Sequence, residues 1–217
     1  VERVITSGLG LQLGASVMPA GSLPLVSATG ALKLDGEWES LFSLSTFALT
    51  PELRWYTGGG YGHGFYLMGY YRYERFKLGN YGYHFDLEPQ GNGAQIGGTA
   101  VLTGALGTHS VGMGLGAQWL FGRNKNIILD WNILGLHFGR GKFSAEGTYH
   151  LEGGRSIPAA NRGTAARDII DPLSDLAILS LGTARAEIDE ANSTVRASGL
   201  ETPWGFFRMS LSVGFRF

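Results

Sequence analysis

The segment 204–217, WGFFRMSLSVGFRF, alternates strictly: Phe207, Met209, Leu211, Val213, Phe215 and Phe217 fall on one face of an extended chain, and Arg208, Ser210, Ser212, Gly214 and Arg216 on the other. Successive side chains of a strand point to opposite faces, so a period of two predicts a β-strand, here with one wholly apolar, aromatic-rich face. The half-buried strand of a soluble sandwich rarely runs so long or sets arginines opposite so bulky a face. The same period recurs five times. In 5–18, Leu9, Leu11, Leu13, Ala15 and Val17 oppose Gly10, Gln12, Gly14 and Ser16. In 41–57, Leu49, Pro51, Leu53 and Trp55 oppose Thr50, Glu52, Arg54 and Tyr56. In 65–78, Leu67, Gly69, Tyr71 and Tyr73 oppose Tyr66, Met68, Tyr70, Arg72 and Glu74. In 104–121 the second half is regular, with Val111, Met113, Leu115, Ala117, Trp119 and Phe121 against Gly112, Gly114, Gly116 and Gln118. In 127–139, Leu129, Trp131 and Ile133 oppose Asp130 and Asn132; then Leu134, Leu136 and Phe138 fall on the polar face, which predicts a β-bulge after Ile133.

Between these strands lie turn and loop signals. Pro19–Ser40 is punctuated by Pro and Gly, Gly58–Gly64 and Gly122–Asn126 read as tight turns, and Gly79–Gly93 reads as a polar, aromatic loop. The first half of 94–121, interrupted at Gly104–Thr108, reads as a strand extension or a separate strand. Residues 140–203 form an insertion too long to lack its own elements. Asp171-Pro172 is an N-cap followed by Pro at the first helical position, which predicts a helix over Pro172–Leu181; Thr183 predicts a second over Ala184–Ala191. The first candidate carries Leu173, Leu176, Ile178, Leu179 and Leu181, more apolar surface than a short helix leaves in water, which predicts a cap over the rest of the fold or a partner interface.

Alternation with charge on one face and aromatics on the other matches a sheet whose apolar face meets lipid, where ~9–11 residues cross the bilayer. The expected lipid-facing set is Leu53, Trp55, Leu67, Tyr71, Leu115, Trp119, Trp131, Leu211, Val213 and Phe215. Composition agrees: Gly is abundant (35 of 217) and charged residues are only 16%. The formal net charge of −1 makes no electrostatic case for nucleic acid. The absence of cysteine rules out disulfides and thiolate metal sites. No run of ~18 apolar residues predicts a helical membrane span. No leader is visible, so an exported chain is expected to begin after processing.

In bacterial barrels turns are short on the periplasmic side and loops long outside. With Phe217 periplasmic, the short turns 58–64 and 122–126 fall on that side, and 19–40, 79–103 and 140–203 fall outside. The blocks GLQLGASVMP, FALTPELRWYT, GFYLMGYYRY, GLGAQWLFGRNKNIILDW and SVGFRF resemble a family of small eight-stranded Gram-negative outer-membrane β-barrel proteins of unknown function, of the OmpA/OmpX-like barrel class. A terminal Phe behind alternating hydrophobics also resembles the C-terminal signal of such barrels. The resemblance covers most of the chain except 140–203, and TPELRWY carries most of its specificity. It implies an all-β fold: an antiparallel transmembrane β-barrel with eight strands expected and six read in this chain, one domain over 1–217, and a long, partly helical extracellular insertion over 140–203. Val1-Glu2-Arg3 sits where the family ends its second strand, so two further N-terminal strands are expected. The implied localisation is the bacterial outer membrane. The implied partners are outer-membrane lipid, lipopolysaccharide and another outer-membrane protein.

The polar faces place Glu52, Arg54, Arg72, Glu74, Asp130, Arg208 and Arg216 in the lumen. Buried charges must pair, so a salt-bridge network is expected, with Glu52 and Arg54 finding partners among Arg72, Glu74, Asp130, Arg208 and Arg216; strand neighbours place Glu52 and Arg54 near Arg72 and Glu74, and Asp130 near Arg208. An eight-stranded barrel is filled by its side chains, which makes a porin-like solute or ion channel the weaker alternative. His109-Ser110 invites comparison with lipid A deacylase-like hydrolases, but adjacent strand residues face opposite ways and cannot pair directly. None of His63, His84, His109, His137 and His150 shows metal spacing, and all five read as surface or loop residues. With no cofactor motif and no complete catalytic set, the expected role is structural or partner-binding, as a subunit of an outer-membrane complex. A lipid-modifying outer-membrane enzyme is the alternative.

Overall fold

A computed structural model describes residues 1–21, 43–58, 60–87, 96–154, 156–157, 161–170 and 185–215. Its strands are β1 (Glu2–Val4), β2 (Leu9–Gly21), β3 (Leu44–Tyr56), β4 (Gly64–Leu87), β5 (Ile96–Phe121), β6 (Ile127–Leu151), β7 (Arg185–Asp189) and β8 (Thr194–Phe215). All join one sheet in the order β1-β2-β3-β4-β5-β6-β8-β7, and every pairing is antiparallel. The short polar segments 57–63 and 122–126 connect β3 to β4 and β5 to β6 at one end of the sheet.

The strands outrun their sequence signal at the other end. The stretch 79–93, read as a loop, is strand as far as Leu87, with an irregularity between Leu78 and Tyr81. β5 runs unbroken through Gly104–Thr108. The segment 140–203, read as a partly helical insertion, begins with the last turn-distal part of β6 and ends with the first part of β8. Pairing on both sides holds the outer parts of β5 and β6 extended, and pairing with β5 alone holds β4 beyond Leu78, because ladder hydrogen bonds and cross-strand contacts outweigh weak intrinsic propensity. The expected bulge is present. Leu115 pairs with Leu134 and Gly116 with Asn132, so Ile133 has no counterpart on β5 and the alternation of β6 resets there.

One α-helix, α1 (Arg162–Ile170), and a single 3-10 turn, Glu152–Gly154, lie in the described part of the insertion. The candidate Pro172–Leu181, with Leu173, Leu176, Ile178, Leu179 and Leu181, lies outside the described residues. The candidate Ala184–Ala191 is not a helix: Arg185–Asp189 is β7, paired with Thr194–Ser198 across a turn. Its Ala, Arg and Glu residues favour helix, but an adjacent strand edge supplies backbone partners that a short isolated helix lacks.

The sheet curls strongly. Arg208 on β8 hydrogen-bonds Glu52 on β3, although four inter-strand steps separate them, roughly 19 Å along a flat sheet. Trp204 on β8 likewise stacks near Phe76 on β4 at 5.3 Å between ring centroids. The concave face has two zones. Towards the short turns it is polar and aromatic, built from Glu52, Arg54, Tyr56, Tyr66, Met68 and Tyr70. Towards the long ends it is apolar: Leu102, Leu106, Phe143, Val195 and Trp204 pack with Ala166 and Ile169 of α1, both fully buried. The convex face carries the opposite set, with Leu53, Trp55, Leu67, Tyr71, Leu115, Trp131, Leu211, Val213 and Phe215 all exposed, and Trp119 half-buried. On β5 and β8 this apolar surface spans Val111–Phe121 and Phe207–Phe215, about eleven and about nine residues, which is the length of a membrane-crossing strand. Among the described residues no helix is long and apolar enough to cross a membrane.

Candidate functional site

The polar zone is organised by Arg54. Pro51 interrupts the donors of β3, yet the alternation Thr50, Glu52, Arg54, Tyr56 continues through it, so four polar side chains reach the concave face from one strand. The facing strand positions make room. Tyr66, Met68 and Tyr70 on β4 pair in register with Gly116, Gly114 and Gly112 on β5. A Cβ at Gly116 would lie 2.4 Å from the Tyr66 ring, and one at Gly112 would lie 2.5 Å from the Tyr70 ring. Glycine there lets the tyrosines lie flat across β5 towards β6.

Every donor group of Arg54 is engaged. Nε and Nη2 donate to Glu52 Oε2 at 3.2 and 3.1 Å, Nη2 also donates to Asp130 Oδ2 at 2.8 Å, and Nη1 donates to Gln118 Oε1 at 3.1 Å. Glu2 of β1 approaches Nη1 at 3.6 Å. The guanidinium lies over the Tyr66 ring, 4.3 Å from its centroid. The acceptors are tied down in turn: Tyr66 donates to Asp130 at 2.8 Å, Tyr56 donates to Glu2 at 2.6 Å, and Arg208 donates to Glu52. Gln118 Nε2 donates to the carbonyl of Gly62 at 2.8 Å, which ties the cluster to the β3–β4 turn. Arg54 is 1% exposed, so this network is what makes its burial tolerable.

A second group sits one step towards the long ends. Arg72 donates to Glu74 at 2.7 Å and to Thr50 at 3.1 Å, and Trp204 Nε1 donates to the other Glu74 oxygen at 3.3 Å. The structure therefore places Glu52, Arg54, Arg72, Glu74, Asp130 and Arg208 on one concave surface, while Arg216 lies outside the described residues. Arg54 pairs with Asp130 and Glu52 with Arg208, both within the expected set of partners, but the choice within that set is not the one strand neighbourhood suggested. Asp130 meets Arg54, not Arg208, and Glu52 meets Arg54 and Arg208, not Arg72. Register and curvature together are the cause: Asp130 stands opposite Ser212, five positions along β6 from Gly135, which stands opposite Arg208, and the curl of the sheet brings Arg54 of β3 to Asp130 instead. Glu2, Tyr56, Tyr66 and Gln118 complete the cluster; the last three lie on the concave face by alternation, whereas Glu2 has no period to reveal it.

His137 corrects the reading of all five histidines as surface or loop residues. It is 4% exposed on the concave face, with Nδ1 3.4 Å from the Tyr70 hydroxyl. The bulge at Ile133 turns it inward. Its Nε2 lacks a hydrogen-bond partner among the described residues, as do both amide atoms of Asn132 farther along β6. His63, His84, His109 and His150 are exposed. His109 and Ser110 point to opposite faces: His109 Nδ1 meets the Tyr71 hydroxyl at 2.5 Å outside, while Ser110 is buried and donates to the carbonyl of Arg72. No nucleophile–base pair arises there. Among the described residues no group of three or more His, Asp or Glu is arranged to hold a metal ion.

The arrangement fixes charge rather than moving it. Each carboxylate of the Arg54 cluster accepts from at least two donors or from a short tyrosine bond, and none is left as a free general base. Comparison with models of known protein families, with curated proteins and with solved structures finds no match to this chain.

Proposed function

We propose that this chain is a bacterial outer-membrane β-barrel protein with a structural or partner-binding role, whose interior is filled rather than open. The observation that carries the reading is the inversion of the usual pattern: a belt of aliphatic and aromatic side chains on the convex face, and a mutually hydrogen-bonded charge cluster on the concave one. Water favours the reverse arrangement, and lipid favours this one. Two strand edges support closure in the membrane. The Leu13 amide on the free side of β2 is used by the carbonyl of Val1, while the Ala15 and Val17 amides on that same side have no strand beside them among the described residues. Past Ser198, β8 pairs among the described residues only with β6. Unpaired backbone costs several kcal/mol per group in hydrocarbon, so in a bilayer both edges must be covered by further strand backbone. The Arg54 cluster blocks the interior at one level and α1 with its apolar neighbours fills it at another, which favours the structural role over the channel alternative. The lipid-modifying alternative has no paired base and nucleophile among the described residues to support it.

Reconstitution into liposomes carrying brominated acyl chains tests the membrane reading. Trp55 and Trp131 are expected to be strongly quenched, and the W55F/W131F variant is expected to lose most of that quenching. Unchanged quenching in the variant, or none in the parent, overturns the reading. For the partner role, deleting 171–184 is expected to leave heat-modifiable gel mobility intact and to release any protein that co-purifies in mild detergent; a partner retained in full overturns that role for the segment.

A further inference from the structure

Immediately beyond the apolar belt, on its long-strand side, the convex face changes character within one row of residues. The register places Tyr71, Val111 and Phe138 side by side on β4, β5 and β6. The next row along the strands is Tyr73, His109 and Arg140, and the one after it Arg75, Gly107 and Lys142. Lys77, Ala105 and Ser144 follow. Four cations, Arg75, Lys77, Arg140 and Lys142, therefore flank a central strand that carries only His109, Gly107 and Ala105. All four are exposed. Among the described residues Arg75, Lys77 and Arg140 have no ion-pair partner, and Lys142 has only Glu201 at 3.6 Å, with both side chains largely in solvent. Such a pair holds its lysine weakly.

The strip between them is a slot. A Cβ built on Gly107 meets no heavy atom within 4 Å, so the floor is open outward. Its walls, Arg75 and Lys142, stand two strand spacings apart, roughly 10 Å. That width admits one phosphate group with a charged hydrogen bond from each side. A shallow concavity of about 650 Å³ continues from it, with Ser45, Arg75, Lys77, Thr103 and Ser144 in its lining together with Glu146, Glu187 and Arg196. On the other side the slot opens onto Val111, Tyr71 and Phe138, an apolar surface suited to acyl chains.

We infer that Arg75, Lys77, Arg140 and Lys142 form a binding site for the phosphorylated headgroup of a membrane lipid whose acyl chains lie along the apolar belt. The inference rests on the membrane reading above and adds to it a ligand class and a place. Charge complementarity selects a phosphate, and continuity with the belt selects a lipid over a soluble phosphate ester. Two rows of cations suit a headgroup with more than one phosphate, as in the lipid A of lipopolysaccharide.

Retention of bisphosphorylated lipid A by the detergent-purified protein, compared with its dephosphorylated form and with inorganic phosphate, tests the site. The parent is expected to hold bisphosphorylated lipid A at least tenfold more tightly than the dephosphorylated form, and inorganic phosphate at millimolar concentration is expected not to displace it. R75Q/K142Q is expected to lose at least tenfold in affinity, R75K/K142R to keep most of it, and G107L to weaken binding by filling the slot without changing charge. Heat-modifiable mobility of each variant reports whether it is folded. Equal binding of the two lipid forms, or unaltered binding by folded R75Q/K142Q, overturns the site. Displacement by inorganic phosphate alone overturns the lipid assignment. Loss of bromine quenching in the parent fails the membrane reading itself, whereas normal quenching with unaltered lipid A binding in the variants fails only this site.

Discussion

At the scale of single residues the decisive one is Arg54. It is a cation enclosed by Glu52, Asp130, Gln118, Glu2 and the Tyr66 ring, and removing it leaves three carboxylates facing one another. Breaking a buried pair from one side is costly because the remaining charge has nowhere to go, and typical losses are about 3–5 kcal/mol. Arg54→Met is expected to lower the temperature at which the protein shifts to its unfolded gel mobility. Arg54→Met with Asp130→Asn and Glu2→Gln, which leaves Glu52 paired with Arg208, is expected to recover much of the loss. A triple variant no more stable than the single one would show that shape, not charge, sets the cost. That these residues share a face was legible from alternation alone. Their partners were not, since a period of two gives the side of a strand but not which distant strand curls over it. His137 was hidden for a related reason: its face depends on a one-residue bulge upstream.

At the scale of elements the bulge at Ile133 does the most with the least. One unpaired residue keeps Leu134, Leu136 and Phe138 outside and His137 inside. Deleting Ile133 shifts every later side chain of β6 to the other face, because strand periodicity is two. The deletion is expected to abolish assembly, measured as loss of the compact gel species. Wild-type mobility in the deletion would mean that the register slips elsewhere at no cost. The break in apolar order after Ile133 made this bulge readable in the sequence. Helix α1 was hard to read: RGTAARDII has Gly, two arginines and only a two-turn apolar face, Ala165, Ala166, Ile169 and Ile170, which is buried by the end of the sheet around it. The β7–β8 turn also lies beyond the reach of propensity. There Asn192 Nδ2 donates to Asp189 at 2.7 Å and the Ala191 amide at 3.1 Å, and these bonds hold the Asp189 carboxyl below its ordinary pKa. A carboxylate favoured in this way supports the turn fully above its ordinary pKa of about 3.9 and withdraws that support as pH falls through the lower native value. Exchange of the Ala191 amide is expected to accelerate, relative to its intrinsic rate, only in strong acid, and in Asn192→Ala to do so at a higher pH. Identical profiles for the two proteins would exclude the side-chain contact as the cause.

At the scale of the whole molecule the sheet is a curled ribbon with two edges that have no strand beside them among the described residues, β2 past Leu13 and β8 past Ser198. Inside a bilayer these edges must be paired. Hydrogen exchange of the liposome-reconstituted protein is expected to show the Ala15, Val17, Met209 and Leu211 amides as protected as those of central β5. Fast exchange at these four, with β5 protected, would mean the edges meet water and would count against a membrane setting for this end of the sheet. Fold class was the most legible feature at this scale, because alternation survives in six stretches of the sequence. The extent of the strands was not, because their outer halves are held by neighbours rather than by their own pattern.

The bond between Arg208 and Glu52 joins residues 156 positions apart, while most strand pairings link neighbours through short turns. Contacts of such separation wait on the closure of everything between them, so hairpins such as β3–β4 and β5–β6 form early and this bond forms late. An interaction absent from the folding transition state slows unfolding without speeding folding. The bond therefore acts as a latch on the finished molecule: Arg208→Met should leave the rate of refolding almost unchanged and make the folded protein fall apart faster in denaturant. A variant that refolds slowly but unfolds at the parental rate would place the closing of the ribbon at the start of its assembly.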